Sequence, residues 1–176
     1  MLRNLTGALV VAVGLLTLQA APASAAESAA AVRTLTYDAS GAAEFKAAVD
    51  KGAQVWNASV TNVRLVPATG STANIRIVAD DQWPRAQTTS LGNGRVWMGR
   101  QATAQGHDAV RIAAHELGHI LGLPDRKPGP CTSLMSGSSA GTSCKNPNPN
   151  AQEKSEVQAN FAGLTSLGAW QREFVG

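Results

Sequence analysis

The stretch HELGHILGLPD, residues 115–125, decides how the rest of this sequence is interpreted. Residues four apart lie on one face of an α-helix, so His115 and His119 can direct two imidazoles at one metal ion. Glu116 lies beside them, close enough to reach a water at that ion without being a ligand. A five-residue pattern of this kind occurs often by chance, so it is not sufficient evidence for a metal site. The residues around it have to support that interpretation.

The alternative interpretation is an ordinary amphipathic helix whose histidines face solvent. The helix expected over residues 108–121 argues against it, because the two histidines and the glutamate are surrounded by apolar side chains. Burying three polar groups among apolar neighbours is costly unless a partner satisfies them, and zinc is such a partner. The apolar residues are Val110, Ile112, Ala113, Leu117, Ile120 and Leu121.

A catalytic zinc needs a third protein ligand and an open position. Gly122 is the residue expected to end the helix, because it adopts the left-handed conformation without steric cost. Pro124 then stiffens the returning chain, and Asp125 brings a carboxylate six residues after His119. His107 lies about two helical turns before His115, which makes it a poor ligand. The sequence therefore predicts His115, His119 and Asp125 as the zinc ligands.

The remaining elements alternate in type. Residues 33–37, 60–66, 75–79, 85–89 and 95–99 are predicted strands, the last two joined as a hairpin across residues 92–94. Ser40 is predicted to cap a first helix, and Asn150 with Glu153 forms a capping-box pair for a last helix that buries Val157, Phe161 and Leu164. Residues 122–149 are rich in Pro, Gly and Ser. This order predicts a mixed sheet packed on helices, followed by an irregular C-terminal part.

The first residues resemble an export signal. Arg3 precedes an apolar run from Leu5 to Leu18, and Ala23-Ser24-Ala25 offers a cleavage site, so residues 1–25 are interpreted as a signal peptide. A membrane anchor is the alternative, but the run is shorter than the ~20 residues of a spanning helix. Residues 26–32 are interpreted as a short pro-segment or linker and residues 33–176 as one domain.

Charge and cysteine content restrict the partners. The net charge of +3 comes from basic residues that are scattered singly, which excludes an electrostatic footprint for nucleic acid. In an exported chain, the two cysteines, Cys131 and Cys144, predict one disulfide. They have no CxxC spacing and are therefore not expected to bind zinc.

The pattern His-Glu-x-x-His-x-x-Gly-x-x-Asp, followed by a methionine, resembles the metzincin zinc endopeptidases. The aspartate in third place is similar to one branch, the snapalysins, which are small neutral proteases of streptomycetes. The segment CTSLMSG, residues 131–137, resembles the Met-turn of these enzymes. The cysteine pair, LTYD near the start of the domain and NPNPNAQE before the last helix extend the resemblance over most of the chain beyond residue 33.

The resemblance implies an α+β, metzincin-like fold: a mixed twisted sheet packed on helices, with an irregular C-terminal subdomain that ends in a helix. It implies the same three zinc ligands, a catalytic Glu116, a Met135 beneath the metal and the disulfide between the two cysteines. A structural calcium is implied at Asp108, with the Val110 carbonyl as a second ligand, although Asp108 is equally a good helix cap. Without the motif, Met135 would be an ordinary core methionine.

The function implied is that of a secreted zinc-dependent endopeptidase, with a zinc-activated water and Glu116 as general base. An extended substrate is expected along an exposed strand edge near Arg85, Ala86, Gln87, Thr88 and Thr89, with the residues after Met135 walling a side-chain pocket. The alternatives are a zinc amidase acting on cell-wall peptides and a zinc-binding module without catalysis. Glu116, present at the position of the base, disfavours the second.

One position departs from the resemblance. Some relatives carry a tyrosine two residues after the metal aspartate, and this chain has Lys127 there. Either Lys127 supplies a cationic donor in its place or that assistance is missing. The expected partners are protein or peptide substrates and a secreted protein inhibitor, and a monomer without membrane contact is expected after signal cleavage.

Overall fold

The chain forms a sheet flanked by helices, as the order of the predicted elements indicates. The computed structural model describes residues 31–70, 72–162 and 172–175, the last of these by its backbone. The predicted signal peptide, most of the predicted linker and Leu164 lie outside the described residues. The strands are β1 (Arg33–Gly41), β2 (Val63–Pro67), β3 (Ile75–Asp80), β4 (Arg85–Ser90), β5 (Asn93–Gly99) and β6 (Arg172–Val175), and the helices are α1 (Lys46–Ser59), α2 (Arg100–Ala104), α3 (Ala109–Ile120) and α4 (Ala151–Asn160).

The sheet has the strand order β2-β1-β3-β5-β4-β6. The pairs β1–β2, β1–β3 and β3–β5 are parallel, whereas β4 is antiparallel to both β5 and β6. The structure therefore confirms the predicted α+β class with a mixed sheet, as expected for a metzincin-like fold.

Helices α1 and α3 pack against each other and against the sheet, and their interface forms the centre of the core. Trp56 of α1 is fully buried, and its indole N–H donates a hydrogen bond to the carbonyl of Ala114, 2.8 Å away. Ala114 immediately precedes His115. The metal-binding motif is therefore held on a helix that is fixed from the opposite side by a core tryptophan.

Three of the helix ends agree with the sequence prediction, and one does not. Asp108 caps α3 by accepting from the backbone N–H of Arg111, and Gly122 has φ of 96° after the helix, as predicted. Asn150 and Glu153 form the predicted capping box of α4. The prediction for Ser40 is wrong, because Ser40 lies in β1 and a short 3-10 turn over residues 43–45 leads into α1 without a side-chain cap.

Three other features differ from the sequence prediction. The hairpin turn is formed by Leu91 and Gly92, and Asn93 already belongs to β5. The supposedly irregular region contains a 3-10 segment, Leu134–Ala140, with a kink at Gly137. Strand β6 had not been predicted. Cys131 and Cys144 form the expected disulfide.

None of the helices among residues 31–70, 72–162 and 172–175 combines the length and apolar character needed to cross a bilayer.

Candidate metal centre

Three side chains from α3 and the loop after it bring nitrogen and oxygen atoms to one point. The Nε2 atoms of His115 and His119 are 3.1 Å apart, and the Asp125 Oδ1 lies 3.3 and 3.5 Å from them. Four-coordinate zinc with bonds of about 2.0 Å separates its ligand atoms by about 3.3 Å. The three atoms thus have the spacing of one face of a zinc tetrahedron, and the donor set fits this ion.

The backbone fixes both imidazoles. The Nδ1 of His115 lies 3.0 Å from the carbonyl of Leu134, and the Nδ1 of His119 lies 2.8 Å from the carbonyl of Leu123. A carbonyl can only accept, so each Nδ1 carries a proton, and each Nε2 can bind an ion once it holds no proton of its own. Such partners orient metal-binding histidines and select their tautomer.

Asp125 reaches the histidines because the chain reverses at Gly122. A Cβ at Gly122 would lie 2.6 Å from the amide nitrogen of Asn160, so both conformation and space require glycine. Burial alone would raise the pKa of Asp125, but the two histidines outweigh burial and lower that pKa well below its usual value. Its second oxygen lies 3.4 Å from the ammonium of Lys127.

Glu116 is completely buried beside the histidines. From the residues that the structure describes, neither of its carboxylate oxygens receives a hydrogen bond. Burial raises the pKa of Glu116 to about 7, with the charge of Asp125 adding to the effect and that of His115 opposing it. A buried carboxylate without hydrogen-bond partners is costly for folding, and such groups mark functional sites.

Met135 packs against α3, and its position beneath the metal stays a prediction from the resemblance. Its side chain is fully buried, and a Cβ on Gly118 would come within 2.8 Å of its sulfur. Gly118 lies between the two histidines in the sequence of α3, and a Cβ there would also lie 3.2 Å from Cζ2 of Trp56. Glycine in HELGH therefore gives the methionine room to pack directly against the helix.

Two charged residues that the sequence interpretation left without a site role hold the Met135 loop in place. The guanidinium of Arg111 on α3 donates to the carbonyls of Asn146 and Ser133 and to the Ser136 hydroxyl. Glu153 of α4 accepts from the Ser133 hydroxyl and from the N–H groups of Leu134 and Met135. Their helical positions were readable from sequence, but their partners lie 18 to 35 residues away in the chain.

An open cleft adjoins the ligand group. Its lining residues include Trp83, Pro84, His107, His115, Glu116, Gly137 and Ser138. Gly137 and Ser138 belong to the segment after Met135, and its use as the wall of a substrate side-chain pocket stays a prediction. His107 packs edge-on against Trp83 with ring centroids 5.8 Å apart, and it does not belong to the ligand group.

Asp108, which the resemblance implies as a calcium ligand, has a different role in the structure. Asp108 uses its carboxylate to cap α3. In the part of the chain that the structure describes, His115, His119 and Asp125 are the one group of three or more His, Cys, Asp or Glu side chains close enough to share an ion. Calcium at Asp108 and Val110 therefore stays a prediction from the resemblance.

The expected substrate edge, Arg85 to Thr89, lies within β4. This strand packs against α3, and Pro84, just before it, lines the cleft. The structure differs from the expectation of an exposed edge, because β6 pairs with β4 on its outer side. The residues that pair with β4 belong to a C-terminal segment, where no local sequence signal predicted a strand.

Comparison with known proteins shows similarity to a family of extracellular proteases. The Streptomyces extracellular neutral proteinase (M7) family matches residues 31–163. The chain is 44% identical over 129 residues to the extracellular small neutral protease of Streptomyces caespitosus, covering 73% of this chain and 97% of that protein. It is 41% identical over 136 residues to the enzyme of the same name from Streptomyces lividans, covering 77% of this chain and 60% of that protein. This chain therefore belongs to the Streptomyces extracellular neutral proteinase family, the snapalysins.

Proposed function

We propose that this chain is a secreted zinc-dependent endopeptidase with Glu116 as its general base. The observation that carries the proposal is the tetrahedral spacing of His115 Nε2, His119 Nε2 and Asp125 Oδ1, with the buried carboxylate of Glu116 beside them. The names of the relatives, extracellular small neutral proteases, support both the reaction and the compartment.

Each residue of the centre has a distinct task in this proposal. The two histidines and Asp125 hold the zinc, which when bound supplies Lewis acidity toward a scissile carbonyl and toward water. Glu116 takes a proton from the attacking water and passes it to the leaving amine. Its burial without a hydrogen-bond partner keeps the carboxylate available for that proton.

The substrate is proposed to lie as an extended peptide along β4, bound by main-chain hydrogen bonds. The side chain after the cleaved bond would enter the cleft between Trp83 and Ser138, which opens beside His115 and Glu116. Lys127 is proposed to hold the Asp125 carboxylate in orientation, because its ammonium lies 3.4 Å from Oδ2. A secreted protein inhibitor would use the same surface, and the monomer stays the expected state.

The proposal is tested by the substitution Glu116→Gln. The variant is expected to keep zinc, measured by metal analysis of the purified protein, while casein cleavage falls by about 100-fold or more because the base is gone. Glu44→Gln serves as the matched control, because Glu44 pairs with Arg100 on the surface and has no place in the centre.

Three results would contradict the proposal. Retention of most activity by Glu116→Gln would exclude this residue as the base. A parent protein that binds zinc but digests peptidoglycan and not casein would be an amidase, and one that digests neither would be a binding module. Inhibition of casein cleavage by a chelator, with recovery on adding zinc, is the expected result.

A further inference from the structure

The outer edge of β4 already carries a strand from the chain's own C-terminus. Arg85, Ala86, Gln87 and Thr88 pair antiparallel with Val175, Phe174, Glu173 and Arg172 in that order. The family match ends at residue 163, so β6 lies outside it. The edge that the proposed function assigns to a peptide substrate is therefore occupied by a segment beyond the matched region.

The direction of β6 relates it to the candidate active site. Pro84 lines the cleft together with His115 and Glu116, and Arg85 follows it at the start of β4. Val175 is opposite Arg85, whereas Arg172 is opposite Thr88. The backbone of β6 therefore runs toward the cleft, antiparallel to β4, and it pairs with the edge in the extended form that an added peptide adopts.

We propose that residues 172–175 inhibit the enzyme by occupying the substrate-binding edge of β4. The inference rests on the proposed function, because it requires that the substrate use this edge. One row of backbone N–H and C=O groups can pair with one added strand at a time. A substrate must therefore displace β6. Its apparent affinity equals its affinity for the open edge multiplied by the fraction of molecules in which the edge is open.

The experiment uses the full chain with Glu173→Pro and Phe174→Pro combined. Successive residues of a strand direct their N–H groups to opposite sides, so one of the two prolines removes a donor to β4 whichever residue provides it. The matched control carries Glu173→Ala and Phe174→Ala, which shortens the same two side chains but keeps both N–H groups. Occupancy of the edge is measured by the binding of a fluorescein-labelled peptide of sequence QREFVG, residues 171–176, to each protein.

The proline variant is expected to bind the labelled peptide more tightly than the parent and to cleave a peptide substrate with a lower KM and an unchanged kcat. If β6 covers the edge in about nine molecules in ten, KM falls about tenfold. The alanine variant is expected to stay close to the parent in both measurements, because the pairing is made by the backbone.

Equal peptide binding by the parent and the proline variant would overturn the inference, since β6 would then not occupy the edge. Tighter peptide binding with an unchanged KM would also overturn it, since substrate would not use that edge. Both results leave the proposed zinc-dependent cleavage intact as long as the parent shows chelator-sensitive cleavage, although the second would remove β4 as the substrate edge. Absence of such cleavage in the parent and in both variants is the separate result that refutes the proposed function.

Discussion

Asp125 uses its two carboxylate oxygens for different neighbours. Oδ1 faces the Nε2 atoms of both histidines, whereas Oδ2 lies 3.4 Å from the Lys127 ammonium. The first oxygen is placed to bind the ion directly, and the second is placed to hold the carboxylate in orientation. The loop after Gly122 brings this carboxylate to the two histidines.

Asp125→Ala is expected to lower zinc affinity by more than 100-fold, because loss of even an outer partner of a metal site costs about 10–100-fold. Lys127→Ala is the comparison, since it removes only the contact to Oδ2, and a loss of about 10-fold or less is expected. Chelator competition measures both. Equal losses in the two variants would contradict Asp125 as a ligand, and His107 would be the next residue to test.

The crossing of α1 and α3 determines how closely the metal-binding helix approaches the rest of the core. A Cβ on Gly52 of α1 would lie 2.8 Å from the backbone nitrogen of Ala114 and 3.0 Å from the carbonyl carbon of Ala113. Backbone atoms in a packed helix cannot move aside as a flexible side chain does. Glycine at this position therefore allows α3 to lie against α1 one residue before His115.

Gly52→Ala is expected to destabilise the protein by about 1–3 kcal/mol in urea unfolding, because the new methyl group overpacks the helix crossing. This outweighs the gain of up to about 1 kcal/mol that alanine gives over glycine inside a helix. Gly70→Ala is the control, since a Cβ there meets no atom within 4 Å. A Gly52→Ala variant as stable as the parent would show that the two helices separate easily.

The sequence predicted the elements and site residues whose signals are local. The capping roles of Asp108, Asn150 and Glu153 and the conformation of Gly122 depend on residues a few positions away, so they could be predicted from spacing. The prediction that Ser40 caps α1 was wrong because the pairing of β1 with β3 extends the strand past this residue. Strand β6 and the loop contacts of Arg111 depend on partners distant in the chain, and no local pattern encodes such pairing.

At the scale of the whole molecule, Glu153 joins the last helix to the metal centre. Its carboxylate receives hydrogen bonds from Ser133, Leu134 and Met135 in the loop and from the Asn150 N–H at the start of α4. Burial would raise the pKa of Glu153, but these hydrogen bonds outweigh burial and lower the pKa from 4.5. The folded protein therefore favours the ionised carboxylate.

Glu153→Gln is expected to lower the free energy of unfolding by about 2 kcal/mol at neutral pH, since buried N–H groups lose a charged acceptor. A pKa lowered by folding stabilises the protein above the unfolded-state pKa, and this stabilisation is lost as pH falls through the folded-state pKa. The difference between parent and variant should therefore narrow below pH 4.5 in urea unfolding. Glu156→Gln on the same helix, at a more exposed pair with Arg126, is the control. A difference that stays constant with pH would contradict the role given to the Glu153 charge.

The two carbonyls that accept from the histidine Nδ1 atoms also prepare the centre for binding an ion. Leu123 and Leu134 restrict the rotation of both imidazoles within the fold itself. An arriving ion therefore meets ligands that have already lost their rotamer entropy, which favours tighter binding. Mg²⁺ requires near-octahedral oxygen coordination, and two fixed nitrogens 3.1 Å apart do not provide it. The two leucine carbonyls thus preorganise the centre for an ion that accepts nitrogen ligands.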